Sequence, residues 1–337
     1  MRKYLLPPNG NFYKANLHCH STVSDGRWTP EEIKENYKAE GYSIVAYTDH
    51  AVFITHNDLA DESFLPLNGY ELDITEESVE GKSPKTCHIC FIAKKKDRTL
   101  QRIFYDSRHY RKNVENLCLD PESEMMTREY STRFISEVME RGAADGFFVT
   151  YNHPVWSMET LDEYCNYHGM NAMEIVNYGC VTEGYDDRNE NIYDQMLRGG
   201  ERIYCVATDD NHNKFSKGHP RCDSFGGFTV IKADKLEYET VTEALEKGSF
   251  YASEGPKIHE LYYEDGRIYI ETSDASRIVM STANRRFKVA TAEKVGETLN
   301  KASFEIKAEL GDYVRFTVRD AQGKEAYTNA YFLSELI

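Results

Sequence analysis

Residues 1–256 alternate short apolar runs with amphipathic stretches. Short runs rich in β-branched and aromatic residues are typical of buried strands, whereas apolar positions three or four apart indicate helices. The first unit shows both features. A strand closes at 16–18, and a helix begins after Thr29, with Pro30 at its first position and Gly41 as its stop. This alternation predicts an α/β fold with a parallel sheet.

Seven further segments have the composition of strands: 42–48, 64–72, 87–93, 146–152, 172–177, 202–208 and 226–231. Helical periodicity separates most of them and is clearest in three stretches: 127–141, 185–198 and 241–247. Seven or eight strands in this order predict a closed or nearly closed barrel. Such a barrel gathers its functional residues at the carboxyl ends of its strands.

The hydrophobic pattern changes after Pro256 to strict alternation, which is typical of half-buried antiparallel strands. The alternating runs are 267–270, 304–307 and 313–318, with hairpin turns at Asp265-Gly266 and 320–323. We therefore predict two domains. Residues 1–256 form the α/β barrel, and residues 257–337 form a small antiparallel β-domain of the sandwich type.

Composition and charge narrow the possible partners. The 337 residues include 40 Lys and Arg against 56 Asp and Glu, so the formal net charge is −16. This charge repels a long phosphate backbone, and we expect no polymeric nucleic-acid partner. No apolar run is long enough to span a membrane, and the N-terminus lacks the features of a signal peptide, so a cytoplasmic location is expected. The eight scattered cysteines are interpreted as free thiols.

Histidines and carboxylates cluster at the predicted strand ends. Residues two apart in a strand share a face, so His18 and His20 can point at one ion, as can Asp210 and His212. Imidazole nitrogen and carboxylate oxygen without thiolate suit Zn, Mn or Fe, and a carboxylate such as Glu71 can bridge two ions. The sequence therefore predicts a metal site with these candidate ligands: His18, His20, Asp25, His50, Glu71, His88, His153, Asp210 and His212.

These motifs also resemble a known family. The segments 16–21, 24–26 and 47–50 are similar to the opening of the PHP (polymerase and histidinol phosphatase) superfamily of metal-dependent phosphoesterases, and 69–71, 87–89, 152–154 and 210–212 fit its later motifs. The stretch 228–256 and the β-domain that follows resemble the carbaryl-hydrolase-like branch.

The resemblance implies a distorted (β/α)7 barrel that holds two or three divalent transition-metal ions. One ion would be held by His18, His20, Glu71 and Asp210, a second by Glu71, His88 and His153, and a third by Asp25, His50 and His212. Asp25 stands where some members have histidine. By the same resemblance Asp49 orients a ligand imidazole, and catalysis is expected to rest on Glu71, Asp210 and His212.

Three functions stay open at this stage. The leading hypothesis is hydrolysis of a small phosphate ester by a metal-bridging hydroxide. The second keeps the metal site but hydrolyses a carboxyl or carbamate ester. The third is a non-catalytic, metal-bound binding module. A basic surrounding of the site favours phosphate, whereas an apolar pocket favours the carbon ester.

Three other features have two interpretations each. Glu174 ends a predicted strand and either faces the site or does not. His219 is interpreted as a solvated loop residue, with a contact to substrate phosphate or the leaving group as the alternative. The segment 108–111, Arg-His-Tyr-Arg, is interpreted as an exposed helical face, with a phosphate clamp as the alternative.

Overall fold

The computed structural model describes residues 2–103, 119–120 and 126–337. Its strands are β1 Lys3–Tyr4, β2 Asn11–Asn16, β3 Ile44–Tyr47, β4 Leu65–Thr75, β5 Thr86–Ala93, β6 Phe147–Asn152, β7 Ala172–Asn177, β8 Tyr204–Thr208, β9 Phe228–Ala233, β10 Phe250–Ser253, β11 Ile258–Glu264, β12 Arg267–Ala275, β13 Arg277–Thr282, β14 Lys288–Thr291, β15 Leu299–Glu305, β16 Tyr313–Arg319, β17 Glu325–Thr328 and β18 Tyr331–Phe332.

Its α-helices are α1 Pro30–Ala39, α2 Thr132–Ala144, α3 Leu161–Tyr164, α4 Tyr178–Glu183, α5 Glu190–Gly199, α6 Tyr238–Glu246 and α7 Leu333–Leu336, with 3₁₀ turns at Asn57–Leu59 and Ala308–Leu310. Within the described ranges, no helix is both long and apolar enough to cross a membrane. No disulfide joins the seven cysteines that are described, in agreement with free thiols.

The large sheet runs in the order β14-β13-β16-β17-β10-β9-β2-β3-β4-β5-β6-β7-β8. Pairing is parallel from β2 to β4 and from β6 to β8, so the α/β class is confirmed. The expectation of a parallel sheet throughout is wrong for β5, which is antiparallel to both β4 and β6. Residues 76–85 join β4 to β5 without a helix, and this connection is too short for a parallel crossover.

The segments that follow β2 and β8 lie side by side. Cys19 and Asn211 form an isolated parallel bridge, and the backbone N–H of Asp210 donates to the carbonyl of His18 at 3.0 Å. This contact places the His18–His20 segment beside Asp210 and His212. Because β2 and β8 are not themselves paired in the described chain, the (β/α)7 barrel stays a prediction.

Helix α1 begins as the sequence predicts. The Thr29 hydroxyl accepts from the Glu32 N–H at 3.2 Å, and the Glu32 carboxylate accepts from the Thr29 N–H at 2.8 Å, which completes a capping box. The buried face of the helix carries Tyr37, whose hydroxyl donates to Asp209 at 2.8 Å. The helix is thereby fixed to the residue that precedes a candidate ligand, Asp210.

The C-terminal strands are antiparallel, as predicted. A second sheet, β1-β11-β12-β15, packs over β13 and β16 with an apolar layer between them. Asp265 and Gly266 have φ of 49° and 77° and form the tight turn between β11 and β12. The second layer of the sandwich, which contains β13, β16 and β17, is part of the large sheet. Strand β17 pairs there with β10, which lies before Pro256 in the chain. The boundary between residues 256 and 257 stays a prediction, and the two parts share one sheet.

A buried ion pair also joins the two parts. The Arg315 guanidinium, on β16, donates to Asp194 on α5 at 2.8 Å from both Nε and Nη2, and to Glu190 at 2.8 Å from Nη1. The side chains of Arg315 and Asp194 are 1% and 6% exposed. A buried charge with bidentate partners stabilises the fold only while both members are present.

Replacing Arg315 with Met should lower the free energy of unfolding by about 3–5 kcal/mol, because Asp194 loses its buried counter-charge. Arg319→Ala is the matched control. Arg319 is exposed on the same strand and pairs with Glu325 at 3.3 Å, so its loss should cost about 0–1 kcal/mol. Chemical denaturation measures both variants, and equal small losses would contradict a structural role for Arg315.

A second buried carboxyl lies behind the loop that follows β6. Glu159 accepts hydrogen bonds from the hydroxyls of Tyr151 at 2.6 Å, of Tyr167 and of Tyr130. Burial raises the pKa of Glu159 to about 7, although the hydroxyls of Tyr151 and Tyr167 act in the opposite direction. The folded protein therefore holds a proton here that the unfolded chain releases near pH 4.5.

Stability from this group is fully present below pH 4.5 and is lost as the pH rises through about 7. The free energy of unfolding of Glu159→Gln, relative to that of the unmodified protein, should therefore increase by about 3 kcal/mol from pH 5 to pH 8. Urea unfolding at the two pH values measures this difference. The exposed Glu137→Gln serves as control, and a pH-independent difference for Glu159→Gln would show that the carboxyl titrates normally.

Candidate metal centre

The centre of the site is the carboxylate of Glu71, which is 1% exposed in the middle of β4. Its Oε1 lies 3.1 Å from His18 Nε2, 3.1 Å from His88 Nδ1 and 3.4 Å from His153 Nε2. Its Oε2 is buried without an aligned hydrogen bond in the described chain, although His50 Nδ1 lies 2.9 Å away. One neighbouring strand, β5, and the loops that follow β2, β3 and β6 thus bring imidazoles to one side chain.

Asp210, in the loop after β8, forms the second carboxylate of the site. Its Oδ1 lies 3.2 Å from His18 Nε2 and 3.1 Å from His20 Nε2, and its Oδ2 lies 3.8 Å from His153 Nε2. Asp210 and His153 have positive φ angles of 49° and 27°, which non-glycine residues rarely adopt. Such backbone conformations are typical of functional sites.

The remaining candidates lie nearer to solvent. Asp25 Oδ1 is 3.4 Å from His212 Nε2, 3.7 Å from His50 Nε2 and 4.0 Å from His20 Nδ1. The Asp25 side chain is 40% exposed, whereas that of His20 is fully buried. Gly26 allows this approach, because a Cβ there would lie 2.4 Å from the carbonyl oxygen of His20.

His88 lies in the site because its strand, β5, runs antiparallel to its neighbours. It is the third residue of β5, and its register partner on β4 is Asp73. Because β5 runs antiparallel, the beginning of this strand lies at the edge where the parallel strands end. The expectation that the candidate strands all present their carboxyl ends is therefore wrong for His88, although its place in the site is as predicted.

The side chains fit divalent ions. Ligand atoms lie within 4.8 Å of one another in four groups: His18 with His20 and Asp210; His50 with Glu71 and His88; His20 with Asp25, His50 and His212; and His18 with Glu71 and Cys90. The Nε2 atoms of His18 and His20 face each other at 3.1 Å, a spacing suited to two nitrogens that share an ion at about 2.0–2.1 Å. The nitrogen and oxygen donors match Zn, Mn or Fe.

The grouping differs in part from the expected one. The set His18, His20 and Asp210 is brought together as predicted. Glu71 is grouped with His50 and His88, whereas His153 lies slightly farther out, 3.4 Å from Glu71. The assignment of these residues as ligands stays a prediction.

The charges of the site require cations. Burial by itself raises the pKa of Glu71 and of Asp210, but the surrounding imidazoles, chiefly His88 and His18 for Glu71 and His18 for Asp210, hold both well below their usual ranges. The two carboxylates therefore stay ionised in a buried space. Protons on nearby histidines, or divalent ions in their place, offset this negative charge.

The surroundings raise the pKa of two histidines of the site and lower that of a third. Burial lowers the pKa of His153, but the hydrogen bond to Glu71 and the charge of Asp210 raise it to about 9. Burial likewise lowers the pKa of His212, but Asp25 and Asp210 raise it to about 9. His20 is the opposite case: burial and the neighbouring His50 and His212 lower its pKa to about 4. A neutral His20 keeps its nitrogen lone pair available to a metal.

Glu174 faces the site, which settles the question that the sequence left open. It is fully buried at β7, and its Oε1 accepts from His18 Nδ1 at 2.7 Å and from the Thr208 hydroxyl at 2.6 Å. Its Oε2 accepts from the His153 N–H at 3.0 Å and from Asn177 at 2.8 Å. Glu174 thus directs His18 Nε2 inward and supports the strained backbone of His153.

Asp49 acts on the loop after β2 and not on an imidazole. Its carboxylate accepts from the backbone N–H and the hydroxyl of both Ser21 and Ser24, at 2.7 to 3.1 Å. The expectation that Asp49 orients a ligand ring is therefore wrong. Both carboxylate oxygens of Asp49 accept hydrogen bonds from Ser21 and Ser24. Asp49 therefore acts on the His20 ring indirectly, through Ser24.

Three further residues belong to the site and were not predicted from the sequence: Cys90, Asp187 and Asp223. Cys90 lies two residues after His88 on β5, so both side chains are on the same face of the strand. The Cys90 thiol lies beside Glu71 and His18. The spacing from His88 could have indicated this position. Asp187 accepts the backbone N–H groups of Val155 and Trp156, in the loop that begins at His153. Asp223 accepts those of His212 and Asn213. No local signal marks these long-range bonds to Asp187 and Asp223.

A cavity of about 440 Å³ opens over the candidate ligands. Glu71, His88, His153 and Asp210 line it, and Trp156, Phe215, Lys214 and Arg221 complete its wall. His219 is an exposed loop residue, in agreement with the first of its two interpretations. Its ring stacks on that of Phe215, with the centroids 4.3 Å apart. The segment 108–111 lies outside the described residues.

Several solved structures are similar to this chain. The chain is similar to a two-domain protein containing a predicted PHP-like metal-dependent phosphoesterase from Bacteroides vulgatus (16% identity, 98% of each chain, TM-score 0.44). It is also similar to a protein assigned as a metal-dependent phosphoesterase from Bifidobacterium adolescentis (15%, 71% of this chain and 98% of the other, TM-score 0.39) and to an amidohydrolase from Chromobacterium violaceum (18%, 59% and 87%, TM-score 0.35).

No family model and no curated protein matches the sequence. The Bacteroides vulgatus protein bears the name of the superfamily that the motifs resemble, and none of these three proteins bears that of the carbaryl-hydrolase-like branch.

Glu174→Gln should weaken Zn²⁺ or Mn²⁺ binding by about 10–100-fold. Each carboxylate oxygen of Glu174 accepts two hydrogen bonds, and an amide N–H₂ in either place would face two donors. Calorimetric titration of the metal-free protein measures the loss. Glu183→Gln, which changes a cavity carboxylate outside the ligand groups, is the control, and equal affinities for the two variants would contradict the positioning role.

Proposed function

We propose that this protein is a metal-dependent hydrolase of small phosphate esters. The observation that supports it most is the cluster of nine histidine, aspartate and glutamate side chains that includes Glu71 at its centre, beneath a cavity large enough for a small molecule. Two or three divalent ions, of Zn, Mn or Fe, match this number and kind of donors. When bound, such ions supply Lewis acidity that activates water and offsets charge on the ester oxygens.

The residues of the chain have separate tasks in this proposal. Glu71 presents two ionised oxygens to different imidazoles, so it can hold two ions at once. His212 Nδ1 lies 3.1 Å from the backbone oxygen of Asp210, which can only accept a hydrogen bond, so Nδ1 carries a proton. His212 Nε2 then faces Asp25 and is the atom that binds an ion or moves a proton.

The surroundings of the site favour a phosphate ester over a carboxyl or carbamate ester. The cavity wall carries Lys214 and Arg221, whose positive charge attracts an anionic substrate to the cavity and does little for a neutral ester, without either residue having to contact the phosphoryl group. Hydrolysis would break the ester P–O bond, add the oxygen of water to phosphorus and give a proton to the departing alcohol. With a net charge of −16, the partner is proposed to be a small molecule and not a nucleic-acid polymer.

Glu71→Gln should release at least one bound ion per chain and lower phosphomonoesterase turnover by at least about 100-fold. The amide keeps the shape of the side chain but has one neutral oxygen, so it cannot hold two cations. Elemental analysis, melting temperature and turnover after metal-replete expression measure the three effects. Chelation of the unmodified protein should abolish the activity, and added Zn²⁺, Mn²⁺ or Fe²⁺ should restore it.

Glu183→Gln is again the control for metal content, because Glu183 lines the cavity outside the ligand groups. Full metal content and near-normal turnover in Glu71→Gln would show that Glu71 is not the bridge. One ion or none in the unmodified protein would contradict the proposed metal centre.

A further inference from the structure

Two cations on the cavity wall lack an acidic partner. Lys214 and Arg221 both line the cavity, and within the described part of the chain neither forms an ion pair. The contrast with their neighbour Lys217 is informative, because Lys217 pairs with Glu40 and does not line the cavity. Two cations that line one cavity and form no ion pair within the described residues are free to meet a bound anion.

The wall that carries these cations is held in place. The Phe215 and His219 rings stack at 4.3 Å with an interplanar angle of 9°, and the Arg221 guanidinium lies 4.9 Å from the Phe215 ring. At the two ends of the segment, Asp223 accepts the backbone N–H groups of His212 and Asn213. The cations are therefore presented by a structured loop that is anchored beside a candidate ligand.

The two cations and the candidate metal ligands occupy different depths of the cavity. Glu71, His88 and His153 are buried, whereas Lys214 and Arg221 are exposed at the mouth. In the proposed function, ions at the base would hold the phosphoryl group and offset its charge there. The cations at the mouth meet the part of the substrate that extends away from the phosphorus, which is the alcohol that leaves.

We propose that Lys214 and Arg221 bind an anionic group on the leaving alcohol. The substrate is then a small phosphomonoester whose alcohol carries a carboxylate or a second phosphate. Both groups share the chemistry that the two cations recognise, because each is a compact anion that accepts hydrogen bonds from ammonium and guanidinium donors. This inference rests on the proposed function and specifies the substrate class of the same site.

Three phosphate esters of equal chain length test the inference: propyl phosphate, the phosphate ester of 3-hydroxypropanoate, and propane-1,3-diol bisphosphate. The metal-loaded protein should hydrolyse at least one of the two anionic esters with a kcat/KM about tenfold or more above that of propyl phosphate. Comparison of the carboxylate with the bisphosphate then identifies which anion the site takes.

The variants Lys214→Gln and Arg221→Gln should each remove about tenfold of kcat/KM for the preferred anionic ester, mainly through KM, and change that for propyl phosphate by about twofold or less. Lys217→Gln, on the same loop but outside the cavity, should change neither. Equal losses on all three esters would overturn the inference, because the cations would then bind the scissile phosphoryl group. No loss on any ester would also overturn it.

A binding measurement separates this inference from the proposed function. Calorimetry with propylphosphonate, 3-phosphonopropanoate and propane-1,3-diylbisphosphonate needs no turnover. At least one of the two ligands with a second anion should bind the unmodified protein more strongly than propylphosphonate does, and this advantage should be lost in Lys214→Gln and Arg221→Gln. If this difference is present while none of the esters is hydrolysed, the anion site stands and the phosphatase proposal fails. If all three phosphonates bind equally to all forms, the anion site is wrong.

Discussion

The folded protein has to hold two ionised carboxylates, those of Glu71 and Asp210, which lie 3.1 and 3.2 Å from the same nitrogen, His18 Nε2. Their side chains are only 1% and 11% exposed. Two like charges in such a place are unfavourable unless positive charge accompanies them. The imidazoles around them and the raised pKa of His153 are consequences of this one requirement, and Asp25 together with Asp210 raises the pKa of His212. A centre that demands cations when it is folded is suited to binding metal ions, which supply that charge more compactly than protons do.

Four further carboxylates hold the loops around this centre by accepting backbone or hydroxyl hydrogen bonds: Asp49 at Ser21 and Ser24, Asp187 at Val155 and Trp156, Asp209 at Phe225 to Gly227, and Asp223 at His212 and Asn213. Loops that carry candidate ligands would otherwise leave buried N–H groups without acceptors. The same residue type thus has two tasks here, and its partners distinguish them: imidazole nitrogens surround the candidate ligands, and N–H or O–H donors surround the carboxylates that hold loops.

The C-terminal strands take part in this architecture. Strand β17 extends the large sheet from β10, and Arg315 fixes helix α5 through Asp194. Asn189, which precedes that helix, bonds to Asp187, and Asp187 holds the loop that begins at His153. A continuous set of hydrogen bonds therefore connects the β-sandwich layer to the site, although the described part of this layer contributes no member of the ligand groups.

The sequence by itself determined the features that depend on local order: the helix start after Thr29, the α/β alternation, the antiparallel C-terminal strands, and the nine His, Asp and Glu side chains that the fold brings together. Only the tertiary structure decided the direction of β5, the pairing of β17 with β10, and the inward orientation of Glu174. Periodicity fixes which residues share a face of a strand. Which face is buried, and which distant strand lies alongside, depends on contacts between residues far apart in the chain, and such contacts leave no local pattern.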